Sequence, residues 1–357
     1  MRAWIILFVA CLSVCLHAES PRDFRGTHFI GFDRFDKFEV KKTDAGTELT
    51  SSPIKPAIQW NELVASWNFR SAPTNTLLIE AQAISKDRNT KWYTLAYWTQ
   101  NPVSKSDRSS LRGQKDDDGT VSTDTLKLKE PAEAVRLRLT LGPGADPKDL
   151  KFLGLSFRDT TSETTPLAPN KSVWGKTLTV KERSQANYPD GISEWCSPTS
   201  MSMLLSFWAA KLNRPELDYD VPEVARGVND PGWPGTGNWP FNTAFAGAHP
   251  GIRSYVTRFS DVSELEAWIE AGIPVAISVA YGYLKGKPEP ANGHLVVCIG
   301  FDEDGNIVVN DPGRSQVRRI YLRENLIKAW AESQNTVYIV HPEKWKIPPD
   351  RFGHWAE

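Results

Sequence analysis

The chain has 357 residues, 42 of them basic and 43 acidic, for a formal net charge of −1. A chain so balanced has no field suited to gripping phosphate backbones or anionic lipid, so nucleic acid is not an expected partner. Its length suits two domains better than one. The 14 Trp serve cores, pockets and binding faces alike, because Trp buries a large area while keeping one polar edge.

Residues 1–18 read as a secretory signal. Arg2 is followed by an apolar run from Trp4 to Leu16, short for a bilayer span. Leu16-His17-Ala18 places a small residue at a cleavage point. The expectation is an exported protein, periplasmic, extracellular or at the cell surface. A lipid anchor on Cys11 or Cys15 is the alternative, and no other segment is apolar and long enough to cross a membrane. The mature chain then keeps Cys196 and Cys298, which form either one bridge or one reactive and one buried thiol.

Residues 24–158 read as an all-β sandwich or jelly-roll domain. Val135, Leu137, Leu139 and Leu141 alternate with Arg136, Arg138 and Thr140, a period of two with one wet face. Leu77, Ile79, Ala81 and Ala83 repeat the pattern. Lys91–Trp98 is apolar on both faces, as in a strand inside a sandwich. Trp92 and Trp98 share a face there, which serves core packing or a glycan or surface ligand. Asp116-Asp117-Asp118-Gly119 lacks calcium-loop spacing and reads as a solvated turn. Residues 159–172 are polar, hold two prolines and have no apolar period, so they read as a linker between separable domains.

Residues 173–342 mix element types in an α+β pattern, with a tail at 343–357 that looks irregular. Met201, Leu204, Leu205 and Trp208 mark one face of a helix over Ser197–Lys211. A second helix runs over Val262–Ala271 and ends at Gly272 and Pro274. Strands follow at Val275–Ala280, His294–Phe301, Ile307–Asn310, Val317–Leu322 and Val337–Val340. Asp230–Asn242 is too rich in Gly, Pro and Trp for a helix or strand interior, and reads as a loop able to wall a cleft with Trp233 and Trp239.

Cys196 opens the first helix, where Pro198 fits the first turn. Unpaired N–H groups and the helix dipole stabilise a thiolate at that place. His294 opens a strand, and Asp311 ends the next one, so the hairpin between them brings imidazole and carboxylate within hydrogen-bond reach. A carboxylate there fixes the imidazole tautomer. Each residue has a plain alternative: a small buried hydrophobe at 196, a surface histidine at 294, turn chemistry at Asp311-Pro312-Gly313. Cys298 reads as buried filler, and a Cys196–Cys298 bridge would block the nucleophile. No His or Cys cluster has zinc spacing, so no metal or cofactor is expected.

Taken together, Ser184-Gln185, Trp195-Cys196-Ser197-Pro198-Thr199-Ser200-Met201, Gly235-Thr236-Gly237-Asn238-Trp239-Pro240-Phe241-Asn242, Gly293-His294-Leu295-Val296-Val297 and Asn310-Asp311-Pro312 resemble the bacterial C39-like peptidases. These are papain-like relatives of the peptidases that cut double-glycine leaders. The resemblance covers about half the chain, and the β-rich N-terminal domain is similar to one found in some exported members. It implies a papain-like fold with Cys196 as nucleophile, His294 as base and Asp311 as orienting carboxylate. It also implies an oxyanion donor upstream of the cysteine, here Gln185, with Asn187 as competitor. Trp195, Trp233, Asn238 and Trp239 are the candidate cleft residues. The expected activity is cleavage of a peptide or cell-wall peptide through an acyl-enzyme. An amidase or acyl transferase of the same fold, or a non-enzymatic surface binder, are the alternatives.

Overall fold

The computed structural model describes residues 23–70, 72, 75–102, 104 and 107–355. The expected signal at 1–18, with Cys11 and Cys15, lies outside the described residues. Among those described, no helix is long and apolar enough to cross a membrane.

The described part of the N-terminal domain is built from β1 (Thr27–Phe32), β2 (Glu39–Thr43), β3 (Gly46–Thr50), β4 (Trp60–Phe69), β5 (Leu77–Ile84), β6 (Tyr93–Trp98), β7 (Gly119–Ser122), β8 (Thr125–Ala132), β9 (Ala134–Leu141) and β10 (Leu150–Arg158). They form two antiparallel sheets, ordered β1-β10-β4-β8-β7 and β2-β3-β9-β5-β6. The alternation read in the sequence becomes the inner faces. Val135, Leu137, Leu139 and Leu141 are fully buried, and the residues between them stay partly exposed. Trp98 is only 1% exposed and packs on Trp67 and Phe241 with ring centroids 5.8 and 5.1 Å away. Trp92 instead lies beneath the Arg138 guanidinium, 4.5 Å from its centroid. The two tryptophans therefore form no shared surface platform for a glycan.

The C-terminal domain runs α1 (Cys196–Leu212), α2 (Val221–Val228), α3 (Trp239–Gly247), β11 (Ile252–Arg258), α4 (Val262–Glu270), β12 (Val275–Ala280), α5 (Tyr281–Leu284), β13 (Gly293–Phe301), β14 (Ile307–Asn310), β15 (Arg318–Tyr321), α6 (Arg323–Ala331) and β16 (Thr336–Pro342). Its six strands make one antiparallel sheet ordered β11-β16-β12-β13-β14-β15. The fold is that of an α+β, papain-like domain behind an all-β one. Helix α1 is buried on all sides over Ser197–Ala209 rather than on one stripe. Its many serines are small enough to let the sheet, α2 and α3 close around it. The segment read as loop through Asn242 in fact enters α3 at Trp239. Asn238 caps that helix by accepting from the Phe241 N–H at 3.1 Å, and Pro240 occupies its first turn, where a missing N–H costs nothing.

The two domains share a seam. Strand β11 is an edge of the C-terminal sheet, and side chains of β4 satisfy its backbone. Asn68 donates to the Ser254 carbonyl at 2.6 Å and accepts from the Ser254 N–H at 3.1 Å, while Ser66 Oγ accepts from the Val256 N–H at 3.2 Å. Buried Arg258 pairs with Glu62 of β4 at 3.0 Å. Phe29 and Phe152 of the sandwich meet Tyr255 at 4.9 and 5.8 Å.

Residues 159–172 are therefore no free tether. The Leu167 N–H donates to Asp261 at 2.9 Å, and the Asn170 N–H donates to Glu266 at 2.7 Å. The tail is irregular, as read, but it is packed. Trp355 is 3% exposed against Phe259 and Trp268, and His354 lies between the Glu264 carboxylate and the Phe24 carbonyl. Sequence composition reports polarity, and both segments are polar; their packing depends on partners up to 330 residues away.

Candidate active site

Helix α1 begins at Cys196, with Trp195 before it and no side-chain cap. The first N–H groups of a helix lack intrahelical acceptors, so the thiol meets donors rather than a capping oxygen. Cys196 is half-buried and Cys298 fully buried, and both are free thiols. The expected alternative of a bridge between them is not what the structure holds.

Strand β13 pairs with β14 in the register Val297↔Asn310, with a bulge between Cys298 and Gly300. This hairpin returns Asp311 beside His294, as the spacing implied. His294 Nε2 lies 2.7 Å from Asp311 Oδ1. Cys196 lines the same cleft as His294, whose imidazole acts on the thiol electrostatically. Asp311 is wholly buried and its carboxylate is saturated with donors: the Gly313 N–H at 2.9 Å, Tyr281 Oη at 2.9 Å and Tyr321 Oη at 2.6 Å. The Tyr281 ring also stacks on His294 at 3.9 Å.

Neither tyrosine was found from sequence. Tyr281 directly follows β12, whose last residue Ala280 pairs with Gly293, so a strand-end aromatic next to the His-bearing strand was the available signal. Tyr321 ends β15, and only the sheet order, which sets β15 beside β14, brings it to Asp311.

The electrostatics follow from these contacts. Burial opposes ionisation of Cys196, but the His294 hydrogen bond and charge, with the Leu295 and Ser197 N–H groups, outweigh it and hold the thiol below its ordinary value. Burial also works against charge on His294. Its bonds to Asp311 and Cys196 prevail and lift it to about 9. Burial raises Asp311, yet the His294 contact and both tyrosines bring it below the usual carboxylate range. These directions favour a thiolate–imidazolium pair at neutral pH.

Gln185 lies in a short 3-10 turn over Gln185–Asn187. Its backbone N–H donates to the Pro312 carbonyl at 2.9 Å, which ties it to the turn after Asp311. Its side-chain amide donates to the Ile192 carbonyl at 2.9 Å, and its Oε1 is buried without a partner. Asn187, the competitor, is exposed.

A cleft of about 550 Å³ opens over Cys196 and His294. Trp233 and Trp239 line it, as the loop composition implied. Trp195 and Asn238 do not: Trp195 packs on Gly191 and Tyr188, and Asn238 is 1% exposed and donates to Asp230 at 2.8 Å. One wall was missed entirely. The β7–β8 hairpin of the N-terminal domain contributes Ser122, Thr123, Asp124, Thr125 and Lys127 to the lining. The N-terminal domain also shapes the Trp233 loop. Arg108 is buried against the carbonyls of Arg226, Gly227 and Asn229 at the end of α2, and Asp230 accepts from the Ser110 N–H at 2.9 Å. Among the described residues no group of His, Cys, Asp and Glu is arranged to hold a metal.

Residues 177–338 match the model of the Peptidase_C39 like family, and residues 33–149 match that of the Peptidase C39 N-terminal domain. Residues 177–338 are thus a C39-like peptidase domain, and residues 33–149 match the N-terminal domain that accompanies it. No curated protein matches it. A crystal structure described as a C39-like peptidase from Bacillus anthracis aligns with 51% of this chain and 100% of its own, at 16% identity and a TM-score of 0.34. The CBM22-1 and GH10 modules of Clostridium thermocellum xylanase 10B, complexed with xylohexaose, align with 44% of this chain and 30% of theirs, at 9% identity and a TM-score of 0.18. A structure described under carbohydrate-binding modules of the β-sandwich superfamily aligns with 40% of this chain and 61% of its own, at 12% identity and a TM-score of 0.17. At such scores these likenesses carry nothing about ligands.

Proposed function

We propose that the chain is an exported thiol hydrolase that cleaves peptide bonds through an acyl-enzyme. The observation that carries the reading is the His294–Asp311 pair at 2.7 Å, set in the same cleft as a thiol at a helix start that this histidine holds below its ordinary value. In this reading the Cys196 thiolate attacks the carbonyl carbon, forming a C–S bond and an oxyanion. The imidazolium of His294 gives its proton to the leaving nitrogen as the C–N bond breaks. A water then enters, loses a proton to His294, and displaces the thiolate from the thioester. Asp311 stays ionised and holds the ring. The Cys196 backbone N–H and the second N–H of the Gln185 amide are the proposed oxyanion donors. Export rests on the sequence of residues 1–18 alone.

The test is hydrolysis of a peptide library by wild type and by Cys196→Ala, beside alkylation of the thiol by iodoacetamide. Turnover in wild type, absent from the variant, is the expected result. Equal hydrolysis by both would remove the mechanism.

A further inference from the structure

The geometry points to the β7–β8 hairpin as the part of the cleft that selects the substrate, with Lys127 receiving a carboxylate carried by the peptide. This inference rests on the peptidase reading above and adds a substrate class to it.

The hairpin has two faces. Val121, Leu126 and Leu128 point into the sandwich core and are buried. The cross-strand pairs Thr120↔Lys127 and Ser122↔Thr125 share the opposite face. Ser122, Thr125 and Lys127 of that face line the same cleft as Cys196 and His294. The hairpin is also fixed there. Asp124 at its tip accepts from the N–H of Trp239, the first residue of α3, at 2.8 Å. A surface that reaches the cleft by a built contact, and carries only polar groups toward it, is suited to reading a substrate side chain.

Among the described residues, the acidic and basic side chains that line the cleft besides His294 are Asp124, Lys127 and Glu194. Both oxygens of Asp124 are already engaged, one by Trp239 and the other by the Thr125 hydroxyl at 3.0 Å. Lys127 is 49% exposed and contacts Glu62 at 3.2 Å, a carboxylate shared with buried Arg258. An ammonium has three N–H donors, so Lys127 keeps capacity for an incoming acceptor. No other Lys or Arg among the described residues lines the cleft. A Glu or Asp side chain near the scissile bond, or a chain-terminal carboxylate, fits it.

The experiment starts from a peptide the wild-type protein cleaves, remade with Glu, Gln or Lys at each flanking position. At one position Glu should lower KM by about threefold or more relative to Gln, the scale of a part-exposed ion pair. Lys127→Ala should erase that preference, read as the ratio of KM for Glu and Gln peptides, and Lys127→Glu should turn it toward Lys. Lys127→Ala leaves Glu62 with Arg258, so the seam is kept, and Lys127→Glu, which sets a carboxylate beside Glu62, is read together with its Tm. Lys129→Ala, on the same strand but outside the cleft, should behave as wild type. Cys196 alkylation by iodoacetamide should be the same in all four proteins, since the reagent is small. Identical side-chain preferences in wild type and both Lys127 variants would overturn the inference and leave the peptidase reading intact. A wild-type protein that alkylates at Cys196 yet cleaves no peptide would overturn both.

Discussion

The start of α1 and the middle of β13 each present one thiol, and the two places treat it in opposite ways. On β13, Cys298 is fully buried in the apolar core, and burial pushes its thiol up to about 12. At Cys196 burial acts in the same direction, but His294 and the N–H groups of Leu295 and Ser197 reverse the outcome. Burial alone therefore makes a thiol inert, and reactivity comes from the charge and donors aimed at it.

The strongest way to break this contrast is substitution of each thiol. Cys196→Ala should lower peptide turnover by about 10⁴-fold or more, the loss expected when a nucleophile is removed. Cys298→Ala should keep its rate and lose stability, read as a lower Tm. Full activity in Cys196→Ala, or none in a folded Cys298→Ala, would reverse the two assignments.

His294→Ala comes next. Turnover should fall by roughly 10²- to 10⁴-fold with the general base gone. The pH at which Cys196 becomes alkylated should rise toward that of an ordinary thiol. An unchanged alkylation profile would mean that the helix start, rather than His294, sets the thiol.

Gln185→Ala sharpens the picture of what surrounds the carbonyl oxygen. A lost oxyanion donor costs roughly 100- to 1000-fold in kcat with KM nearly constant. Because Gln185 also holds the Ile192 carbonyl, the variant should be checked against Asn187→Ala, which removes an exposed side chain and should be silent. A loss in both KM and Tm, without the kcat effect, would make Gln185 a strut of the loop before Cys196.

The smallest expected effect is in pH. Activity should rise at a pH below that of a free thiol, as Cys196 ionises, and fall near pH 9, as His294 loses its proton. Tyr321→Phe removes one donor from Asp311 and leaves the carboxylate a stronger partner for the imidazolium, so the falling limb should shift upward, with a several-fold loss or less because Asp311 keeps its other donors. The same groups bear on stability. His294 is raised above its ordinary 6.5, so its contribution is complete below that value and is lost as pH climbs through about 9. Asp311 is depressed, so its contribution is present above its ordinary value and is lost as pH falls through the lower, folded one.

Much of this was legible in the sequence for a physical reason. Cys196 and His294 lie on α1 and β13, and Asp311 directly follows β14. These elements are written as apolar runs broken by turn residues, and a hairpin is a local object. What was not legible is non-local. The Tyr321 hydroxyl reaches Asp311 only because β15 pairs with β14 at the sheet edge. The hairpin residues Ser122 and Lys127 enter the cleft only because β4 docks on β11. The start of α3 was hidden by local composition, since Asn238, Trp239 and Pro240 look like loop until the cap is seen.

The side-chain cover on β11 has a consequence for anyone preparing the catalytic half by itself. Chain 171–357 produced alone would leave the N–H and carbonyl groups of Ser254 and the N–H of Val256 without Asn68 and Ser66, at the open margin of a six-stranded sheet. An uncovered strand margin recruits other strands. Such material should self-associate with rising concentration, and the sandwich, supplied in trans, should return it to solution.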